Sequence, residues 1–266
     1  MIYIKKYVFG VISLLVLFIF IVIPKDKKEL SYQYLEEAPK ITVYYVDDDK
    51  LIGVLLPYES ENKYDLIKEA FTYLTEKANS TAYQSMINLS TKLVSYEVRN
   101  KALYLNLSDD FFRTNLENTT LAIGQIFYTF KELGFVDIYL LNNNEIIRQI
   151  GDCFLEEGIK SNLLVNFEVV SKTLETKTIR IEYVYQNNNK TFMNYIIDLE
   201  EDEIKFKLER LISFVNKEYE GNLKLLSFEK NVNELIVLLD GEKNLVDTLE
   251  NQLLKNFNCN VIVVEK

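Results

Sequence analysis

KLVSYEVRNKALYLNLSD, residues 92–109, returns at residues 224–241 as KLLSFEKNVNELIVLLDG, with the same apolar rhythm and no gap. Lys92, Leu93, Ser95, Glu97, Leu103 and Leu107 recur as Lys224, Leu225, Ser227, Glu229, Leu235 and Leu239. Val94, Tyr96, Tyr104 and Leu105 are replaced by Leu226, Phe228, Ile236 and Val237, so apolar character survives where identity does not. Two β-rich runs around a short polar turn predict a hairpin. A hairpin written twice predicts two copies of one module, and an internal repeat decides the fold before any single element does.

Outward from each hairpin the same elements appear in the same order. In the first copy, ITVYYV (41–46), an Asp47, Asp48, Asp49 turn and a strand over 51–56 precede a helix over 64–78 that presents Leu66, Ile67, Ala70, Phe71 and Leu74. After the hairpin comes a helix from Asn118 onward with Ile123, Ile126, Phe127 and Phe130 inward, ending near Gly134, then a strand over 136–141. In the second copy a strand over 179–185, an Asn187 to Asn189 turn and a strand through Phe192, Tyr195 and Ile197 lead to a helix over 203–219 burying Ile204, Leu208, Leu211, Ile212 and Val215. Its hairpin is followed by a helix over 245–257 with Leu245, Leu249 and Leu253 inward and a strand over 260–264.

The offset between copies falls from 138 at Ile41/Ile179 to 132 at Lys92/Lys224 and 123 at Asp137/Asn260, as expected when loops absorb deletions and cores do not. The predicted fold class is therefore α+β: two tandem ββαββαβ modules, each with helices stacked on one face of a small sheet. The expected division is 1–40 for an anchor and tether, 41–147 for the first module, 148–176 for a linker and 177–266 for the second. Within the connection, EIIRQIGDCFLEE (145–157) is a candidate helix.

From Tyr7 to Ile23 the chain carries no charge, and 17 residues rise about 25 Å as a helix, the short end of a membrane span. Lys5 and Lys6 precede it, and Pro24 and a charged run follow in place of a small-residue cleavage site, so an uncleaved signal anchor is expected. A single-pass topology with the soluble part extracytoplasmic follows, since large domains translocate largely regardless of charge. Residues 1–30 hold five lysines and two acids, a net of +3, so a total of −10 leaves −13 on the rest. That acidity argues against nucleic acid as a partner.

The chain contains no histidine, which removes the ordinary Ser-His-Asp and Cys-His pairs and the commonest metal ligand. Cys153 and Cys259 could form one disulfide in an oxidising compartment; the burial preference of cysteine favours two unpaired thiols, at least one of them buried. Asp47, Asp48 and Asp49 lack EF-hand spacing and read as a solvated turn rather than a Ca²⁺ site. Glu200, Glu201, Asp202 and Glu203 stand where acids cap a helix rather than as a docking patch. Ser108, Asp109 and Asp110 read as a turn, with no histidine base for a nucleophile. No catalytic, cofactor or metal residue is assigned.

The first copy resembles the GerMN domain family of sporulation and spore germination. ITVYYVDDDKLIGVLLPYE looks like the family's opening hairpin, KLVSYEVRNKALYLNLSDDFF like its central hairpin, and AIGQIFYTFKELG like its A-x-x-Q-I-V-Y-T-L helix. The family's Gly-Pro after the first helix is replaced by TEKANS (75–80), and the lipoprotein cysteine is missing. The resemblance implies two such domains behind a membrane attachment, with cores similar to ring-building modules that bind neighbours through sheet edges and helix faces and perform no chemistry. It implies a non-enzymatic envelope protein with no cofactor, attached to the membrane via Tyr7 to Ile23 and assembling with protein partners or as a homo-oligomer. An envelope-signal or ligand-binding sensor would instead need a concave pocket with convergent polar groups. A hydrolase would need a carboxylate cluster in a cleft.

Overall fold

The computed structural model of the chain describes residues 39–60, 62–75, 83–113, 119–159 and 165–265. The apolar run from Tyr7 to Ile23 and most of the tether lie outside the described residues, as do residues 76–80. Among the described residues no helix is long and apolar enough to cross a membrane.

The first repeat comprises β1 (Lys40–Asp47), β2 (Lys50–Pro57), α1 (Lys63–Thr75), β3 (Leu93–Arg99), β4 (Ala102–Leu107), a short α2 (Asp109–Phe112), α3 (Thr119–Glu132) and β5 (Asp137–Asn142). The connection supplies β6 (Glu145–Ile146), β7 (Gln149–Ile150), β8 (Cys153–Phe154) and β9 (Phe167–Val169). The second repeat comprises β10 (Thr176–Val184), β11 (Lys190–Asp198), α4 (Glu203–Glu218), β12 (Lys224–Lys230), β13 (Glu234–Asp240), α5 (Lys243–Asn256) and β14 (Asn260–Glu265). Each repeat therefore runs strand, strand, helix, strand, strand, helix, strand, with α2 an addition in the first. The fold is a mixed α+β one.

The repeat extends to hydrogen-bond register. Leu93↔Leu107, Ser95↔Asn106 and Tyr96↔Leu105 in β3–β4 match Leu225↔Leu239, Ser227↔Leu238 and Phe228↔Val237 in β12–β13 at the offset of 132. Both edge strands carry a bulge at the equivalent place, between Leu93 and Ser95 and between Leu225 and Ser227. The parallel pairs Ala102↔Asp137 and Glu234↔Asn260 reproduce the offset of 123.

Helix faces follow the apolar spacing. Ile67, Ala70, Phe71 and Leu74 on α1 and Ile123, Ile126, Phe127 and Phe130 on α3 are buried, while Leu66 is half-buried. On α4 the predicted Ile204 is only half-buried, because Phe206 fills that level of the core beside Tyr195, 5.3 Å between ring centres. The Asp202 carboxylate accepts from the Ile204 and Lys205 amides at 2.9 and 3.0 Å, the capping role expected of the acidic run.

Residues 145–157 do not form the expected helix. β6 folds back on β5 through Leu141↔Ile146 and Asn142↔Glu145, and β7 pairs with β8 through Gln149↔Phe154 and Ile150↔Cys153. Asn143 and Asn144 take positive φ angles of 52° and 67°, and Gly151 one of 55°, so left-handed turns fall where a helix would need right-handed backbone. The open edge of β5 then offers Ile146 and Ile147 ladder partners that a short isolated helix could not match.

The opening hairpins of the two repeats share one sheet in the order β1-β2-β11-β10. β11 lends its second edge first to β2, through Lys190↔Gly53 and Thr191↔Ile52, and then to β9, through the parallel pairs Asn194↔Phe167 to Ile196↔Val169. The described residues within 41–56 and 60–265 accordingly form one compact unit.

Candidate functional site at the junction of the repeats

Where β11 passes from β2 to β9, the ladder would leave backbone groups unpaired, and Asn166 fills the gap. Its side-chain oxygen accepts from the Leu51 amide at 2.7 Å, and its side-chain nitrogen donates to the carbonyls of Leu51 and Phe192, both at 2.9 Å. The side chain thus imitates a peptide unit between two strands. Asn166 is 5% exposed and adopts φ of 50°, a conformation asparagine tolerates better than most residues. Thr191 adds a hydroxyl bond to the Leu51 carbonyl at 2.7 Å, and the Asn194 amide bonds the Asn166 carbonyl at 2.7 Å.

Aromatic and ionic contacts cross the same junction. Tyr128 on α3 lies 4.4 Å from Phe192 and 5.6 Å from Tyr44 between ring centres, and the Arg180 guanidinium sits 3.7 Å over Phe192. Lys190 meets Glu132 at 2.6 Å. Burial raises the Tyr44 phenol well above its ordinary range, and the Glu132 charge reinforces the shift. Tyr44 therefore stays neutral and serves packing.

The last helix of each repeat closes the outer edge of that repeat's first hairpin with two side chains one turn apart. The Gln125 amide donates to the Tyr44 carbonyl at 2.9 Å and accepts from the Met86 amide at 2.7 Å, while the Thr129 hydroxyl accepts from the Tyr44 amide at 2.9 Å. In the second repeat Gln252 exchanges both bonds with Val184, at 3.0 and 2.6 Å, and Asn256 does so with Glu182, both at 2.8 Å. Gln125 and Thr129 belong to AIGQIFYTF, one of the stretches that carry the resemblance noted in the sequence. Their buried polarity is a strand clamp.

Beside the junction an open cleft of about 530 Å³ lies between α4 and the joined sheet. Tyr183, Tyr185 and Phe214 form its aromatic wall, and Asp48, Lys50, Arg210 and Lys217 bring both charge signs to it. The Tyr183 and Tyr195 hydroxyls meet at 2.9 Å, and Arg210 lies 5.0 Å over the Tyr195 ring and 3.5 Å from Glu168.

The acidic runs singled out by sequence do not converge. Asp48 and Asp49 occupy the two left-handed positions of the β1–β2 turn, with φ of 44° and 62°. The Ser108 hydroxyl accepts from the Lys92 amide at 3.0 Å, and Asp109 accepts from Asn142 at 2.8 Å, so this trio starts α2 and ties down the end of β5. No group of three or more metal-ligating side chains occurs among the described residues. Cys153 and Cys259 are free thiols, both half-buried, so the expected burial of one is only partly met; Cys153 sulfur lies 3.4 Å from the Thr120 hydroxyl.

A further carboxylate emerges only in three dimensions. Asp198 accepts from the Ser171 hydroxyl, the Lys172 and Thr173 amides at 2.9 and 3.1 Å, and the Thr173 hydroxyl at 3.0 Å. These bonds, led by that from Ser171, hold its pKa below the ordinary aspartate value.

Residues 42–145 match the family model Germane, described as sporulation and spore germination. No curated protein sequence matches the chain. Among solved structures, the chain is similar to the tandem GerMN domains of the sporulation protein GerM from Bacillus subtilis, with a TM-score of 0.61 at 13% identity, over 86% of this chain and 94% of that one. The first GerMN domain of the same protein aligns with 47% of this chain and 97% of its own length, at 14% identity and a TM-score of 0.40. At such identities the likeness with the tandem structure speaks to fold.

Proposed function

From the premise that this is a GerMN-family chain with tandem repeats, we propose that it is a non-enzymatic envelope protein of sporulation or spore germination. In this reading the stretch from Tyr7 to Ile23 attaches it to the membrane, the repeats stand outside the cytoplasm, and they assemble with partner proteins or with further copies. The observation that carries the reading is the joined sheet. Asn166, Thr191 and the Lys190↔Gly53 pairing fuse the repeats into one compact unit, so two similar helix-and-hairpin surfaces are held at a fixed spacing. A preset spacing suits multivalent attachment, where tethering multiplies weak single contacts.

Deletion of the gene followed by counts of heat-resistant and germinating spores, with fractionation and protease accessibility of the tagged chain, tests the reading. Normal spore counts and germination, or a chain found in the cytosol, would overturn it. The cleft between α4 and the joined sheet supports a second reading, an envelope-signal or ligand-binding module. Titration calorimetry with soluble cell-wall fragments, comparing the natural chain with Phe214→Ala, separates the two.

A further inference from the structure

Strand edges are hazards that folded proteins protect, and most of the long edges described here are protected in identifiable ways. The outer edge of β1 is closed by Gln84, Gln125 and Thr129, and that of β10 by Gln252 and Asn256. β3 and β12 are bulged and charged: β3 carries Glu97 and Arg99, and β12 carries Lys224, Glu229 and Lys230. β14 differs. Asn260–Glu265 has no bulge and no charged side chain before Glu265, and among the described residues no strand or bridge occupies its outer edge. Ile262 and Val264 are each 42% exposed beside it.

The first repeat supplies an internal template for what this edge accepts. β5 is the counterpart of β14 at the offset of 123, so Ile138 and Leu140 correspond to Val261 and Val263. In the first repeat the Ile138 carbonyl accepts from the Ile159 amide at 2.7 Å, the Leu140 carbonyl accepts from the Ile147 amide at 2.9 Å, and β6 pairs antiparallel at Leu141 and Asn142. That edge is built to receive an antiparallel strand. By equivalence, Val261 and Val263 turn their amides and carbonyls to the open side of β14.

We propose that β14 pairs antiparallel with β14 of a second copy of this chain, centred on Val263 of each. This register sets Val261 opposite Glu265 in hydrogen-bonded pairs and Ile262 opposite Val264 in pairs with closely approaching side chains. The exposed Ile262 and Val264 of both copies then cover each other, and two three-stranded sheets become one of six strands. A two-fold axis makes such an interface self-complementary, so no second chemistry is needed. The two halves of the chain already join edge to edge in this manner at β2 and β11. The proposal rests on the assembly reading above and gives it an interface.

The test is sedimentation velocity of the full-length chain in detergent across a concentration series, for the natural sequence and for Ile262→Lys and Val264→Lys. Both substituted positions are half-open to solvent, and unchanged thermal unfolding verifies the fold. The natural chain is expected to dimerise, and each lysine to weaken the dimer about tenfold or more, because a charge then replaces an apolar contact in each closely approaching pair and a lysine on a strand edge opposes pairing. In a Cys153→Ser, Cys259→Ser background, a mixture of Ile262→Cys and Val264→Cys chains is expected to oxidise preferentially to the mixed dimer. A monomer at every concentration, a dimer indifferent to both lysines, cross-links from β14 to β3 or β12, or cross-links in cells to a different protein would each overturn the proposal. A monomeric chain whose deletion still blocks sporulation would sink this interface while leaving the assembly reading intact.

Discussion

Replacing Asn166 by alanine should cost more than an ordinary buried polar deletion, because its side chain stands in for a missing stretch of ladder. The Leu51 amide, which bonds the Asn166 oxygen at 2.7 Å, would lose its acceptor in a residue that is fully buried, at about 1–3 kcal/mol. The two bonds donated to the Leu51 and Phe192 carbonyls at 2.9 Å contribute about 1 kcal/mol each. Alanine at φ of 50° adds about 1–2 kcal/mol that asparagine largely avoids. The expected total is about 5 kcal/mol, against a typical domain stability of about 5–15 kcal/mol. Asn166→Gly removes the backbone term and should recover about 1–2 kcal/mol of the loss relative to alanine. Urea unfolding can be followed by tyrosine emission, since the chain has 18 tyrosines and no tryptophan. A second transition in Asn166→Ala would report that the repeats had come apart. A loss below about 1 kcal/mol with a single unchanged transition would refute the account of the junction, since even one orphaned buried amide should cost that much.

Gln125→Leu conserves size but leaves the Tyr44 carbonyl and the Met86 amide without the bonds described here; a destabilisation of about 2–4 kcal/mol in the same urea assay is expected. Gln252→Leu, which strips both bonds from Val184 on the matching helix of the second repeat, should behave alike, and a stabilising effect of either would contradict the clamp. Asp198 has a depressed folded pKa, so its contribution to holding residues 171–173 is present above the unfolded aspartate value of about 3.9 and is lost as pH falls through the lower folded value. Carboxyl carbon-13 titration should find its midpoint below that of ordinary aspartates, with the Lys172 and Thr173 amide signals moving in the same window. A midpoint at or above the ordinary value would contradict the clasp.

What local pattern determines was readable in the sequence. Alternation in residues 92–107 and 224–239 specified both hairpins, and the two offsets anticipated their registers because core positions resist insertion. Asp202 was readable as a helix cap because capping acts within three residues. Asn166 was not, since its partners Leu51 and Phe192 are assigned only when β2 and β11 meet, and a lone asparagine in a connection carries no periodic signal. The strand clamps occupy a middle ground. A glutamine within AIGQIFYTF, on a helix that is apolar nearly all round, and the recurrence of a polar pair four residues apart at Gln252 and Asn256, were visible signs of buried polar work. Residues 145–157 misled because a short apolar run fits a helix and two hairpins equally well until Asn143, Asn144 and Gly151 are weighed as turns.

The long reach of the junction also bears on how such a chain is made. The bond from Asn166 to Leu51 spans 115 residues and that from Thr191 to Leu51 spans 140. The first hairpin is therefore born incomplete, its edges open until α3 and then most of the second repeat have been made. Contacts so distant along the chain slow folding and lengthen the interval in which bare strands can pair wrongly. For a polypeptide made from its N-terminus, the seam that joins the finished molecule makes its youth hazardous, and a chaperone that shields residues 41–56 would act where the danger is greatest.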